Sequence, residues 1–298
     1  MGRVLGWSLV LLVANSPAVA HAQDPIHHEL AVVVLPAEHR IQATDTITLP
    51  TRMQGRGAPI PFLLHGGLGP RTTTPGVAIQ REPTAPFTSP TNHRVPVERY
   101  SLRLPVDTRV FTLSYGGEIA HSASEQERDV RGADETPGTI ASDGMFLTSS
   151  SLWYPAFDDS LVTFTLDVQV PAEWEAISQG EQRAHQREGD VVRIGWTSPH
   201  PQEEIYLVGG PLTRYSKVAD AVTAMAFLRM PDQPLAERYL DATAQYLSLY
   251  SALLGAYPYR KFALVENFWE TGYGMPSFTL LGSRVIRLPF ILHSSYPH

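Results

Sequence analysis

The chain has 298 residues, 43% of them hydrophobic, with 30 acidic against 23 basic side chains and a formal net charge of -7. That length and apolar content bury a real core in one large or two ordinary domains, and the acidic balance offers no basic face to neutralise phosphates, which argues against nucleic acid as a partner. Cysteine is absent, so disulfides, thiolate metal sites and a cysteine nucleophile are excluded, and any metal must be held by His, Asp or Glu.

At the N-terminus Arg3 precedes an apolar run over residues 4–14, and the small-residue triplet Ala20-His21-Ala22 follows. This is the layout of a secretory signal peptide. The run falls short of the roughly 20 apolar residues that a membrane-spanning helix needs. Cleavage after Ala22 is expected, leaving a mature chain that begins near Gln23, is exported to the periplasm or the extracellular space, and has no stable membrane insertion.

From residue 26 to residue 215 the pattern repeats with period two, most plainly in Val162-Thr163-Phe164-Thr165-Leu166-Asp167-Val168-Gln169-Val170. Alternation of this kind buries one face of a strand and wets the other. Shorter runs occur at residues 30–35, 46–49, 100–104, 110–115, 191–196 and 204–208. Strands separated by Pro/Gly-rich turns predict antiparallel sheets packed as a sandwich. Residues 55–97 are crowded with Pro, Thr and Gly and read as a surface excursion without regular structure.

The period changes after Met230. Leu235, Tyr239, Ala242, Tyr246, Leu249 and Leu253 fall on one face at helical spacing, with Asp232 placed as N-cap, Pro234 in the first turn and Gly255 as the stop. An apolar strand at residues 262–265, the turn Glu270-Thr271-Gly272 and a second apolar stretch at 278–281 follow. The change from β pattern to helix with mixed strands places a domain boundary at residues 212–218.

Few residues signal chemistry by themselves. His65-Gly66-Gly67 is like an esterase oxyanion loop, but no Gly-x-Ser-x-Gly elbow supplies a nucleophile, and no Ser-x-x-Lys occurs. It reads as a glycine turn in a loop. His27 and His28 are adjacent at the entry of a strand, point to opposite faces, and read as surface histidines. Trp153 and Tyr154, taken as exposed aromatics, suggest a carbohydrate-binding sandwich. That reading leaves the helix and strands after Met230 without a purpose.

The segment Tyr257-Pro258-Tyr259-Arg260-Lys261-Phe262-Ala263-Leu264-Val265-Glu266-Asn267, followed by Tyr273-Gly274-Met275-Pro276-Ser277, resembles peptidase family M1, the membrane alanyl aminopeptidase type. In that family a Gly-x-Met-Glu-Asn loop pairs with the substrate as an edge strand, and its Glu binds the free α-amine. Gly274 and Met275 match, whereas Pro276 and Ser277 stand where Glu and Asn are expected. Gly144-Met145-Phe146-Leu147 running into Leu152-Trp153-Tyr154-Pro155-Ala156-Phe157-Asp158 is similar to the family's segment lining the approach to the active site. Ile26-His27-His28-Glu29-Leu30, His39-Arg40-Ile41 and Thr46-Ile47-Thr48-Leu49 fit its first hairpin.

The resemblance implies a mainly β fold: a saddle-like antiparallel β-sandwich over residues 23–213, after the signal peptide at 1–22, and the start of an α+β thermolysin-like catalytic domain over 214–298. It implies a peptide substrate, bound by Gly274 and Met275, with Glu266 or Glu270 as stand-ins for the missing carboxylate. It also implies Zn2+ as the cofactor of the full-length protein, held by a helix bearing His-Glu-x-x-His. By spacing, His298 is the first of those two His. The catalytic Glu and the other ligands are expected beyond it, so no catalytic residue is assigned within the chain, and the fragment alone is expected to be inert. His293 reads as structural or exposed. A non-catalytic relative that uses the same β domain for binding or scaffolding is the alternative.

Overall fold

The computed structural model describes residues 24–55, 57–83, 95–121, 138–157 and 160–288. The proposed signal peptide, His293 and His298 lie outside these residues.

The alternating run expected around Phe164 is the strand Val162–Pro171, whose Val162, Phe164, Leu166, Val168 and Val170 all turn inward. It belongs to a seven-stranded sheet in the order Glu181–Glu188, Val191–Gln202, Val162–Pro171, Ile26–Leu35, Arg40–Thr48, Val110–Glu118, Arg71–Thr72. Every pair is antiparallel except the third, where Ile26 to Val33 run parallel to Val162 to Gln169. Against the inner face lie a four-stranded sheet of Trp174–Ile177, Leu207–Pro211, Gly144–Leu147 and Thr139–Ala141, and a three-stranded sheet of Ile60–His65, Val97–Arg103 and Ala78–Arg81. The fold is mainly β, with side chains of all three sheets in one core cluster.

Residues 55–97 are not the irregular excursion their composition suggests. They hold the strands Ile60–His65, Arg71–Thr72 and Ala78–Arg81. Pro61 is tolerated for a geometric reason. The N–H groups of Leu63 and His65 point to Ala156 and Leu152, away from the ladder with Val97–Arg103. The missing N–H of Pro61 faces the same way and removes no ladder bond.

The two histidines part company. His28 is fully buried, and its Nδ1 lies 2.8 Å from Asp45 Oδ2; the pair crosses from the first strand to the second inside the core. Strand alternation sent one of two adjacent side chains inward, and Asp45 is what makes that position habitable for a polar ring. His27 is half-buried. Trp153 and Tyr154 are also buried, not exposed: Trp153 Nε1 donates to Ile205 O at 3.1 Å, and the Tyr154 hydroxyl accepts from Ile205 N–H at 3.3 Å. No aromatic sugar platform exists there.

A five-stranded sheet follows, in the order Thr213–Ala219, Val222–Leu228, Lys261–Glu266, Phe278–Leu281, Gly272–Met275. Its central strands read as unbroken apolar runs because both faces are covered. Met225, Phe227, Ala263, Val265, Phe278 and Leu280 join the core shared by the other three sheets, while Ala224, Ala226, Leu228 and Leu264 pack under the helix Gln233–Leu254. That helix begins as expected, with Asp232 accepting from Leu235 N–H at 3.1 Å, and stops at Gly255. Only its first half is covered. Leu235, Ala236 and Leu240 are buried, whereas Leu249, Leu253 and Leu254 are 60%, 73% and 78% exposed.

Candidate functional site

The last two strands of the five-stranded sheet form a hairpin whose outer member, Gly272–Met275, is the sheet's edge. Gly272 pairs with Leu281, Tyr273 with Leu280, Gly274 with Thr279 and Met275 with Phe278. The next contact, Gly282 N–H to Thr271 O at 2.8 Å, fixes the parity of the ladder. Odd-numbered residues spend their backbone groups on the partner strand, and Gly272 and Gly274 direct theirs outward. Both glycines are exposed, and a Cβ on either would meet no atom within 4 Å. Tyr273 and Met275 point the other way. The Tyr273 ring lies 5.8 Å from that of Phe146, which also meets Trp269 edge-on at 5.2 Å, and Met275 is buried. The edge is therefore anchored by its side chains and open along its backbone.

The turn closing this hairpin explains Pro276 and Ser277 locally. Proline presets φ at the first corner of a tight turn, and Ser277 takes the left-handed φ of 68° at the second. Ser277 is buried, and its hydroxyl oxygen receives Gly180 N–H at 3.0 Å and Lys261 Nζ at 3.0 Å. Its carbonyl accepts from Ala263 N–H at 3.1 Å.

The two carboxylates near the edge are both engaged. Glu266 is buried at the end of Lys261–Glu266 and accepts from Arg229 N–H at 2.8 Å and from Arg287 Nε and Nη2 at 3.0 Å each. Glu270 accepts from Arg284 N–H at 3.1 and 3.3 Å and so holds the first turn of the short helix Ser283–Ile286. The structure thus brings Gly274 and Met275 together on one strand, with Glu270 at its base and Glu266 behind the sheet. His298 lies outside the described residues.

Sequence reasoning passed over Lys261. It opens its strand on the same face as Ala263 and Val265, an alternation that already turned it inward. Its ammonium lies 4.9 Å from the ring centroids of both Trp196 and Phe278. Burial holds its pKa well below the ordinary lysine value of 10.5. A second pair, the buried Glu175 with the half-buried His185 Nε2 at 2.9 Å, likewise escaped the sequence reading.

No protein-family profile and no curated protein matches this sequence. Solved structures do. A substituted M1 zinc metallopeptidase from Deinococcus radiodurans, bound to a Tyr-Ser-Ala substrate, superposes with a TM-score of 0.63 at 17% identity, over 90% of this chain and 62% of its own. The chain has the fold of the M1 zinc metallopeptidases. The M1 zinc metallopeptidase of the same organism, without that ligand, gives a TM-score of 0.60 at 18% identity over 91% of this chain and 62% of its own. Aminopeptidase A of Legionella pneumophila, in complex with aspartic acid, gives 0.61 at 10% identity over 88% and 31%. The M1 fold is thus present over most of this chain, which spans 62% of the Deinococcus protein's length.

The zinc of those M1 enzymes does not fit the part described here. Among the described residues no three His, Asp or Glu side chains converge to hold a metal ion. Nor is any helix among them long and apolar enough to cross a membrane.

Proposed function

We propose that this chain is the β domain (residues 23–213) and the opening of the catalytic domain (214–298) of an exported, zinc-dependent peptidase of the M1 type, and that Gly272–Met275 takes an extended peptide as an added strand. The observation that carries this is the sheet edge, where Gly272 and Gly274 are exposed, turn their N–H and C=O groups away from the partner strand, and have no further strand beside them among the described residues. An unpaired edge is a template for a further strand, and main-chain hydrogen bonds along it bind peptides of varied sequence. The glycines let the peptide backbone approach closely. The superposition on the M1 structures, at low identity, supports the fold alone; the peptide reading draws on the edge itself and on the Tyr-Ser-Ala bound to one of them.

Zinc and hydrolysis belong, on this reading, to a longer protein. His298 and groups following it would be the ligands, and the 298-residue chain would neither hold zinc tightly nor cleave peptides, since a zinc site needs three or four protein ligands. Two measurements test the proposal. Titrating the chain with a short unstructured peptide should slow amide exchange at Gly272 and Gly274, and Gly274→Pro, which removes one outward donor, should weaken binding. Exchange unaffected by millimolar peptide would sink the edge. In the longer protein, Glu-x-x-His after the residues Tyr296-Pro297-His298 supports the enzyme, and any other continuation supports a non-catalytic scaffold.

A further inference from the structure

The Lys261 side chain is 2% exposed, and among the described residues its ammonium has no carboxylate partner. A cationic group in such a place is costly unless specific acceptors hold it. Its acceptors are Ser277 Oγ at 3.0 Å and Ser277 O at 3.3 Å, both on the turn that closes the edge hairpin. Gly180, from the β domain, donates to the same hydroxyl at 3.0 Å. Gly180 sits at a φ of 86° with its Cα turned against the Thr197 carbonyl, where a Cβ would collide, so this close approach to the turn is open to glycine and not to a residue with a side chain.

Ser277 itself is in a left-handed conformation, with a φ of 68°, that is unfavourable for a residue bearing a Cβ, so the turn needs to be held. The three donors on Ser277, from Lys261, Gly180 and Ala263, are what hold it. Met275 and Phe278 flank the turn directly, and Gly274 and Thr279 form the next pair. Any displacement of Ser277 therefore moves the outward groups of Gly274 first and of Gly272 next.

We infer that Lys261 is the positioning residue of the peptide edge: through Ser277 it fixes where Gly272 and Gly274 present their backbone groups. This rests on the edge reading above and names the part that regulates its geometry. Lys261 touches no peptide and acts only through the turn. Pro276 and Ser277, which stand where the resembled loop carries Glu and Asn, form in this chain the turn that Lys261 holds.

The test uses the full chain with Lys261→Met, which keeps the stem and removes the donor, Lys261→Arg, which keeps a donor, and Ser277→Ala as a milder second route. Amide exchange is read over residues 272–281 and, as an internal control, over Val222–Leu228, alongside affinity for the short peptide. The expectation is exchange at least about tenfold faster in the hairpin of Lys261→Met, with the control strand unchanged, a comparable loss of peptide affinity, and partial recovery in Lys261→Arg. Ser277→Ala should shift both in the same direction and add little on top of Lys261→Met. Unchanged hairpin exchange in both Lys261→Met and Ser277→Ala, or equal loosening of the control strand, overturns the inference. If Lys261→Met does not fold, Ser277→Ala alone decides it by the same criterion. A hairpin that loosens selectively while even the unaltered chain ignores peptide would leave Lys261 positioning the hairpin and refute the peptide edge instead.

Discussion

Glu266 and Arg287 are joined by two parallel bonds, with Arg287 Nε and Nη2 each 3.0 Å from a different oxygen of the buried carboxylate. The arginine also reaches Asp232, the N-cap of the long helix, at 3.5 Å. One side chain thus ties the end of a central strand to the start of the helix. Two-pronged geometry on a desolvated carboxylate is the strong form of this interaction.

Removing one partner leaves the other uncompensated. Glu266→Ala should cost about 3 kcal/mol of stability, the lower end for breaking a buried pair, because Arg287 remains partly exposed and can rehydrate. Arg287→Met should cost as much or more, since it strands the carboxylate. Urea denaturation of the two variants checks this, and a cost below about 1 kcal/mol for both would mean the pair is not holding the helix to the sheet.

His65 gives a pH dependence with a definite sign. Its Nδ1 accepts Gly67 N–H at 3.1 Å, so the proton sits on Nε2 and is donated to His121 Nε2 at 2.8 Å. Burial, and then the neighbouring His121, lower its pKa from 6.5 to about 4. The folded state thus binds this proton less readily than the unfolded chain. Its contribution is complete above pH 6.5 and is lost as pH falls from there to about 4. His121 is lowered too, chiefly by burial and against the pull of Glu118. The expected loss is on the order of 2 kcal/mol. Denaturation midpoints across this window should fall in the native chain and flatten in His65→Gln; parallel curves would show that the pair does not set the slope.

Much of this architecture was legible because its signals are local. Asp232, Pro234 and Gly255 mark the long helix within its own sequence, and the alternation around Phe164 marks the central strand. The edge at Gly274 and Met275 came from a motif, also local. What stayed hidden depends on partners far along the chain. Ser277 is a turn residue on its own, and its anchoring needs Gly180, which lies 97 positions away. His28 reads as a surface residue until Asp45 is beside it. Trp153 looks exposed until Ile205 arrives to accept its N–H. The strand Ile60–His65 was masked by Pro61, whose harmlessness depends on which side of the strand is paired.

The second half of the long helix offers a simpler test. Leu249, Leu253 and Leu254 are largely exposed, and apolar surface of this extent favours association. The double substitution Leu249→Gln and Leu253→Gln should lower self-association, read by light scattering, while changing stability by no more than about 0.5 kcal/mol. An unchanged scattering profile would place the sticky surface elsewhere.

The final expectation concerns discrimination for a free N-terminus in a longer, active protein. A carboxylate on the edge turn would make a charge-assisted hydrogen bond to a protonated amine, worth about 1.5–3 kcal/mol. Pro276 and Ser277 supply no such charge, and the Ser277 hydroxyl already receives Lys261 and Gly180. Glu266 is committed to Arg287 and Arg229, which leaves Glu270, held among the described residues by Arg284 N–H, as the nearer substitute. Without a substitute, preference for the free amine should be about 10- to 150-fold weaker than where that carboxylate is present. A pair of fluorogenic peptides differing only in N-terminal acetylation measures it. A preference of roughly a thousandfold or more would reject the expectation. Glu270→Gln and Glu266→Gln would then separate the two explanations, since loss of the preference in Glu270→Gln alone, with the fold intact, would assign the amine contact to Glu270.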